Sequence, residues 1–259
     1  MNILEAIILG LVQGLTEFLP VSSSGHLELG HALFGIEGES NLLFDVVLHG
    51  ATVLSTLVVF RKEIARLFLG LFTFRWTESN RYVALLLFSA LPVGIGGILL
   101  SDPIESLFTG NLALVGGSLL LTAGLLAFAN FSRKGIRKIR FIDALIIGIA
   151  QLLAVVPGIS RSGATIATGM LIGNDKKDLA KFSFLMVIIP ILGANFLKAV
   201  SGDFSQASVE WLPFVAGFTA AFIAGLLACT WMINLVKKGK LIYFAIYCAI
   251  IGLIAIFAA

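Results

Sequence analysis

Apolar residues in this chain run in long blocks separated by short polar stretches. A helix needs about 20 mostly apolar residues to cross a bilayer core. Blocks of that kind predict full spans at 42–60, 82–100, 112–130, 182–200, 211–235 and 241–258. Two further apolar stretches are interrupted. Residues 3–19 stop at Pro20 and run into Ser22-Ser23-Ser24-Gly25-His26, and residues 141–156 stop at Pro157 and run into Ser160-Arg161-Ser162-Gly163. Each resumes with a short apolar piece. In lipid, broken backbone is tolerated only where protein or a cavity satisfies it, so the pattern predicts two broken or re-entrant helix pairs around a protected site. The apolar blocks are too long for the alternating segments of a membrane barrel.

Composition strengthens this reading. Of the 259 residues 58% are hydrophobic and 13% are charged, where soluble domains carry roughly 25% charged. The fold class expected is therefore an all-α polytopic membrane protein, with residues 1–259 forming a single membrane domain. Cys229 and Cys248 both lie in apolar runs and read as packing residues rather than a disulfide or metal pair. No cleavable signal peptide is expected, because MNILEA lacks a basic region and the first Lys or Arg is Arg61.

The net charge of +3 matters less than where the basic residues sit. Sixteen of the 18 fall in four groups. These are Arg61, Lys62, Arg66, Arg75 and Arg81; then Arg133, Lys134, Arg137, Lys138 and Arg140; then Lys176, Lys177 and Lys181; then Lys237, Lys238 and Lys240. If both broken segments re-enter, all four groups share one face. Segments 29–41, 101–111 and 201–210, on the other face, contain no Lys or Arg. The positive-inside rule then makes the basic face cytoplasmic and puts both termini outside. Lys198 is expected to snorkel from an outer span end. Arg161 is left over, at membrane depth.

A shift of 138 residues superimposes the two broken segments without a gap. Gln13 meets Gln151, Gly10 meets Gly148, and Ser22, Ser24 and Gly25 meet Ser160, Ser162 and Gly163. Pro20 and Pro157 are out of register by one place. Each copy, about 1–130 and 141–259, is followed by three full spans. An odd number turns the second copy over, the arithmetic of inverted-topology repeats whose broken helices meet near the midplane.

The copies differ at the positions that carry chemistry. Glu17, Ser23 and His26 in the first correspond to Val155, Arg161 and Ala164 in the second. One half is thus acidic with an imidazole, and the other is cationic. An Arg at membrane depth costs about 2.5–3.5 kcal/mol on insertion scales, and its planar fork suits phosphate. The plainer reading of Arg161 is an interfacial or structurally paired Arg. Glu17 lies one helical turn after Gln13 and reads as a metal ligand or an acid or base. His26 reads as a general acid or base or a phosphoryl acceptor. Ser22, Ser23 and Ser24 can donate to phosphate, or one can be a nucleophile; Ser and Gly also serve close helix packing. Backbone N–H groups opening the helices after each break would add anion-binding dipoles. Glu5, Asp143, His31 and His49 read as interfacial or structural.

At QGLTEFLPVSSSGH (13–26) and PGISRSGAT (157–165) the chain resembles the undecaprenyl-pyrophosphate phosphatase family, and the span pattern extends the resemblance over the whole chain. The resemblance implies hydrolysis of C55-isoprenyl diphosphate to the monophosphate and inorganic phosphate, recycling the lipid carrier of cell-wall synthesis at the outer face of the plasma membrane, with associated bacitracin resistance. It also implies a divalent cation, Mg²⁺ or Ca²⁺, with Gln13 and Glu17 on the acidic motif. Family members often carry Glu at the first of these and Thr at the position of Ser24. The remaining motif positions are Ser22, Ser23, Gly25 and His26, and Pro157, Gly158, Ser160, Arg161, Ser162 and Gly163. The attacking group stays open between His26, a serine and water.

The expected partners are the lipid diphosphate and the bilayer; nucleic acid is not expected, and the oligomeric state is left open, a homodimer included. The rival reading is a transporter or lipid flippase, since inverted repeats with broken helices are a transporter design. A third is a membrane scaffold, which would have no use for Glu17, His26 and Arg161 together.

Overall fold

A computed structural model describes residues 1–36, 40–72, 75–100, 103–104, 106–107, 110–132, 135–201, 211–238 and 240–259. Its elements are helices. In chain order they are α1 (Ile3–Thr16), α2 (Ser23–Phe34), α3 (Ser40–Val59), α4 (Arg61–Leu71), α5 (Glu78–Leu99), α6 (Leu112–Phe131), α7 (Phe141–Leu153), α8 (Arg161–Leu171), α9 (Lys176–Met186), α10 (Ile188–Ser201), α11 (Trp211–Lys238) and α12 (Ile242–Phe257).

Five stretches are long and apolar enough to cross a membrane: Leu42–Val59, Glu78–Leu99, Leu112–Phe131, Lys176–Leu197 and Trp211–Leu235. Their large apolar residues face outward as lipid requires; Leu99, Phe128 and Leu227 are all exposed. The span expected at 241–258 is a helix of 16 residues, Ile242–Phe257, about 24 Å at 1.5 Å per residue. The span expected at 182–200 instead begins at Lys176 and breaks at Val187. Pro190 explains the break, because its ring collides with the carbonyl four residues back, that of Met186.

The same rule ends α1 and α7. Each stops four residues before its proline, at Thr16 ahead of Pro20 and at Leu153 ahead of Pro157. Irregular backbone fills the gaps before α2 and α8 begin on serine caps. Ser22 Oγ accepts from Gly25 N at 3.3 Å, and Ser160 Oγ accepts from Gly163 N at 3.0 Å.

Packing is reciprocal between the halves. α1 lies along α11, and α7 lies along α5. Small residues permit both approaches. A Cβ on Gly10 would sit 2.3 Å from Gly217 O, and one on Gly148 would sit 2.3 Å from Ser89 O. Without a hydrophobic drive between helices in lipid, such close backbone contact is what binds them. Successive contacts advance together along both pairs: Gly10 then Gly14 meet residues 217 then 221–225, and Gly148 then Leu152 meet residues 89–92 then 96. Both pairs are therefore parallel. α3 also runs parallel to α11, Phe44 meeting Gly217 and Ser55 meeting Gly225. α6 packs on α12 through Gly116 and Gly252.

The basic residues collect at one end. Lys138 pairs with Glu78, Lys181 pairs with Glu63, and Arg81 donates to Ile139 O. The loop before α7 reaches the turn before α9, where Asp175 N donates to Arg137 O. Arg133, Lys134 and residues 37–39, 101–102, 105, 108–109 and 202–210 of the expected loops lie outside the described residues, as do the side chains of Lys198, Lys237 and Lys238.

Candidate active site

The two helix breaks touch. A Cβ on Gly25 would lie 2.9 Å from Gly158 Cα, and one on Gly163 would lie 3.3 Å from Pro20 Cβ. Gly158 adopts φ +94°, with Val115 O 2.5 Å from where a Cβ would stand; glycine meets both demands at once. Ser22 is the other unusual backbone, at φ 70° and ψ 93°. Such a conformation costs of order 1–3 kcal/mol outside glycine. Its carbonyl accepts from His26 N, and its hydroxyl caps α2, so the turn is held from both sides.

This crossing brings Glu17 and Arg161 together across 144 residues of sequence. Arg161 Nη2 lies 3.2 Å from Glu17 Oε1 and 3.4 Å from Oε2. Glu17 sits at the C-terminal end of α1, and Arg161 is the first residue of α8. Three further groups surround the carboxylate. Ser23 Oγ donates to Glu17 Oε2 at 2.5 Å, Gln13 Nε2 donates to the same oxygen at 2.9 Å, and His49 Nε2 stands 3.6 Å away. The side chain of Glu17 is only 8% exposed, so its charge is held by these neighbours rather than by water.

His49 was read from sequence as structural. Its Nδ1 pairs with Asp45 O at 2.7 Å, which directs Nε2 toward Glu17. A sequence signal existed: Asp45, His49, Thr52 and Thr56 form a polar stripe at helical spacing through an apolar span. His31 keeps a structural partner, Asp45 Oδ1, at 3.0 Å. Glu5 caps α1 with Asn2, and Asp143 accepts from Arg140 N and Asn174 Nδ2.

The other candidates fall in two places. Ser160 and Ser162 join the crossing: Ser160 N donates to Thr122 Oγ1 at 3.1 Å, and Ser162 Oγ donates to Leu19 O at 3.1 Å. Ser22 and Ser24 hydroxyls lie 3.4 Å apart at the start of α2. His26 stands apart from the Glu17–Arg161 pair. Its Nδ1 meets Ser22 O at 2.7 Å, and its Nε2 meets Tyr247 OH at 2.8 Å, with the two rings stacked.

A small cavity of about 20 Å³, room for roughly one water molecule, opens beside the pair. Its lining mixes Glu17, Arg161, Gln151, Ser162, Thr165, Ser183, Thr52 and Thr56 with the apolar Phe18, Val53, Phe184, Val187 and Ile191. His26 and Ser22–Ser24 are not among its lining residues.

Two interrupted helices thus bring a carboxylate, a hydroxyl and a guanidinium together inside a helical membrane fold. The chain belongs to the bacitracin resistance protein BacA family, whose model matches residues 6–254. It is 56% identical over 256 residues to an undecaprenyl-diphosphatase of Bacteroides fragilis, covering 97% of this chain and 96% of that protein. It is 56% identical over 260 residues to one of Parabacteroides distasonis, covering 99% and 98%. Identity to one of Carboxydothermus hydrogenoformans is 40% over 258 residues, covering 97% and 95%.

Proposed function

We propose that the Glu17–Arg161 cavity hydrolyses undecaprenyl diphosphate to undecaprenyl phosphate and inorganic phosphate, recycling the lipid carrier of peptidoglycan synthesis. The observation that carries the assignment to this cavity is the Arg161–Glu17 contact at 3.2 Å between the two helix breaks, beside a lining of both polar and apolar residues. In this reading the polar lining residues face the diphosphate and the apolar ones the first isoprene unit once the cavity widens to admit them.

Catalysis of phosphoryl transfer rests mainly on positioning and charge stabilisation. Ser23 Oγ does not line the cavity as it stands, but it donates to Glu17 Oε2 at 2.5 Å and would meet a phosphoryl group drawn up to that carboxylate, so we assign the attack to it. In this scheme Ser23 Oγ bonds to the terminal phosphorus while its proton passes to Glu17. The bond from that phosphorus to the bridging oxygen breaks, and undecaprenyl phosphate leaves with the electron pair. Water then cleaves the phosphoserine, releasing inorganic phosphate and restoring the Ser23 hydroxyl. Arg161 turns from Glu17 to the phosphoryl oxygens as charge builds there.

A divalent cation fits this donor set in an incomplete form. Among the described residues no group of three or more His, Cys, Asp or Glu side chains is placed to hold a metal. Mg²⁺, however, commonly binds through one or two carboxylates together with substrate phosphates. Glu17 and the unpartnered, buried Gln13 Oε1 are the residues that would hold it. When bound, it would neutralise diphosphate charge.

Access is assigned to the face opposite the basic end, with both termini on that outer side. Glu28, His31, Asp45 and His49 supply a polar track from there toward Glu17. The test is phosphate release from undecaprenyl diphosphate by the purified chain in detergent. Turnover by the wild type and its loss in Glu17→Gln are expected. Full turnover by Glu17→Gln would take the reaction away from this cavity.

A further inference from the structure

Gln151 is the repeat counterpart of Gln13, yet the two amides live differently. Gln13 Nε2 donates to Glu17 Oε2 at 2.9 Å. Gln151 is 1% exposed, and among the described residues neither its Nε2 nor its Oε1 has a hydrogen-bond partner. Buried polar groups are almost always paired, and an unpaired one costs the full desolvation of that group. Here both ends of one amide are unpaired, and the side chain lines the cavity shared by Glu17 and Arg161.

The neighbouring hydroxyls are already committed. Thr52 Oγ1 donates to His49 O, Thr56 Oγ1 to Thr52 O, Ser162 Oγ to Leu19 O and Thr165 Oγ1 to Arg161 O. Ser183 Oγ pairs with Thr165 Oγ1 at 2.5 Å. The Gln151 amide therefore brings two uncommitted N–H donors to a cavity that Arg161 makes attractive to anions. Its position follows from the fold. α7 ends two residues later, at Leu153, where the Pro157 break turns the chain toward Arg161.

We infer that Gln151 is a substrate-binding residue whose Nε2 donates to a phosphoryl oxygen of the lipid diphosphate. This rests on the reading of the Glu17–Arg161 cavity as the active site. A neutral amide adds donors without another buried charge, so phosphate can leave after the reaction. Its Oε1 is free to accept from water carried in with the anion. Bound phosphate would satisfy the amide.

An isosteric apolar residue makes this testable. Replacing an unsatisfied buried amide by Leu removes a desolvation cost, so Gln151→Leu is expected to melt at or above the wild-type temperature. The same change removes a hydrogen bond to a charged group. It is expected to raise both KM for undecaprenyl diphosphate and the inhibition constant of inorganic phosphate by about tenfold or more. Gln151→Glu, equally isosteric, is expected to bind both more weakly still, because it puts an anion against phosphate. A rise confined to the lipid substrate would place the amide on the lipid-proximal phosphate; a rise in both places it on the terminal one.

Wild-type KM and phosphate inhibition in Gln151→Leu would overturn the inference. So would binding by Gln151→Glu as tight as wild type, the behaviour of a cation site. A lower melting temperature in both Gln151→Leu and Gln151→Met, with phosphate inhibition unchanged, would mean that the amide has protein partners, and the inference would fall. Arg161→Lys in the same assay separates the two levels. An inactive Arg161→Lys beside an unaffected Gln151→Leu removes Gln151 alone, whereas a fully active Arg161→Lys removes the cavity.

Discussion

Arg161→Lys isolates what the guanidinium contributes beyond its charge. Alanine would be uninformative here. Glu17 is 8% exposed and Arg161 24% exposed at their side chains, so truncation strands a nearly buried carboxylate. Breaking such a pair costs about 3–5 kcal/mol, against a total stability of roughly 5–15 kcal/mol. Lysine keeps the positive charge near Glu17 and should hold the melting temperature within a few degrees. It loses the planar fork, one nitrogen of which, Nη2, now reaches both Glu17 oxygens at 3.2 and 3.4 Å, and which would span two phosphoryl oxygens in the transition state. Loss of one preorganised donor of that kind is worth about 2.7–4 kcal/mol, or roughly 10²–10³ in kcat. The assay is phosphate release at saturating and limiting substrate, so that kcat and KM are read separately, with the melting temperature as the folding control. A fall in kcat/KM carried by kcat is expected. Near-wild-type kcat refutes the reasoning, and so does a raised KM at unchanged kcat, which would mean that Arg161 binds substrate and transition state equally.

Three other perturbations follow from the same structure. Gly25→Ala should lower the melting temperature, by about 1–3 kcal/mol of overpacking, since its Cβ meets backbone 2.9 Å away at Gly158 Cα rather than a movable side-chain end; an unchanged melting curve would mean that the breaks do not touch. A cysteine replacing Leu33 should react with a membrane-impermeant thiol reagent from outside intact cells, and one replacing Ile136 only after the cytoplasmic face is opened; both positions are exposed, and the native Cys229 and Cys248 are buried. Chelation should abolish phosphate release, with Mg²⁺ or Ca²⁺ restoring it; undiminished turnover in chelator would discard the cation bound at Glu17 and Gln13.

Much of the fold was legible because lipid leaves few choices. Long apolar runs must be helices, and Pro20 and Pro157 must break them. The parity of spans between the two Ser-rich motifs implied that they would meet, and Glu17 and Arg161 do so. Helix ends were less legible. A proline acts on the carbonyl four residues before it, so α1 and α7 stop at Thr16 and Leu153 rather than beside the prolines, and Pro190 parts α9 from α10. Within the site, a residue's own chemistry says little about which neighbour it meets. His49 carries no motif and reaches Glu17 through the register of α3. His26, inside the motif, turns instead to Tyr247, which is 221 residues away in sequence. Gln151 matched Gln13 in the repeat, but sequence could not show that the Gln13 N–H donors are engaged while those of Gln151 are not.

The exchange of helices between the halves has a consequence for biogenesis. α1 finds its packing surface on α11, Gly10 against Gly217, about 200 residues later in the chain. At a synthesis rate of 5–20 residues per second, that surface emerges roughly 10–40 s after α1 itself. For most of that interval Glu17 lacks Arg161, and the first Ser-rich turn lacks Gly158. A nascent half-protein thus holds an unneutralised carboxylate and an open turn at membrane depth. The insertion machinery must shelter this segment until the second half arrives, so a chain truncated after α6 should be a substrate for membrane quality control rather than a stable half-bundle.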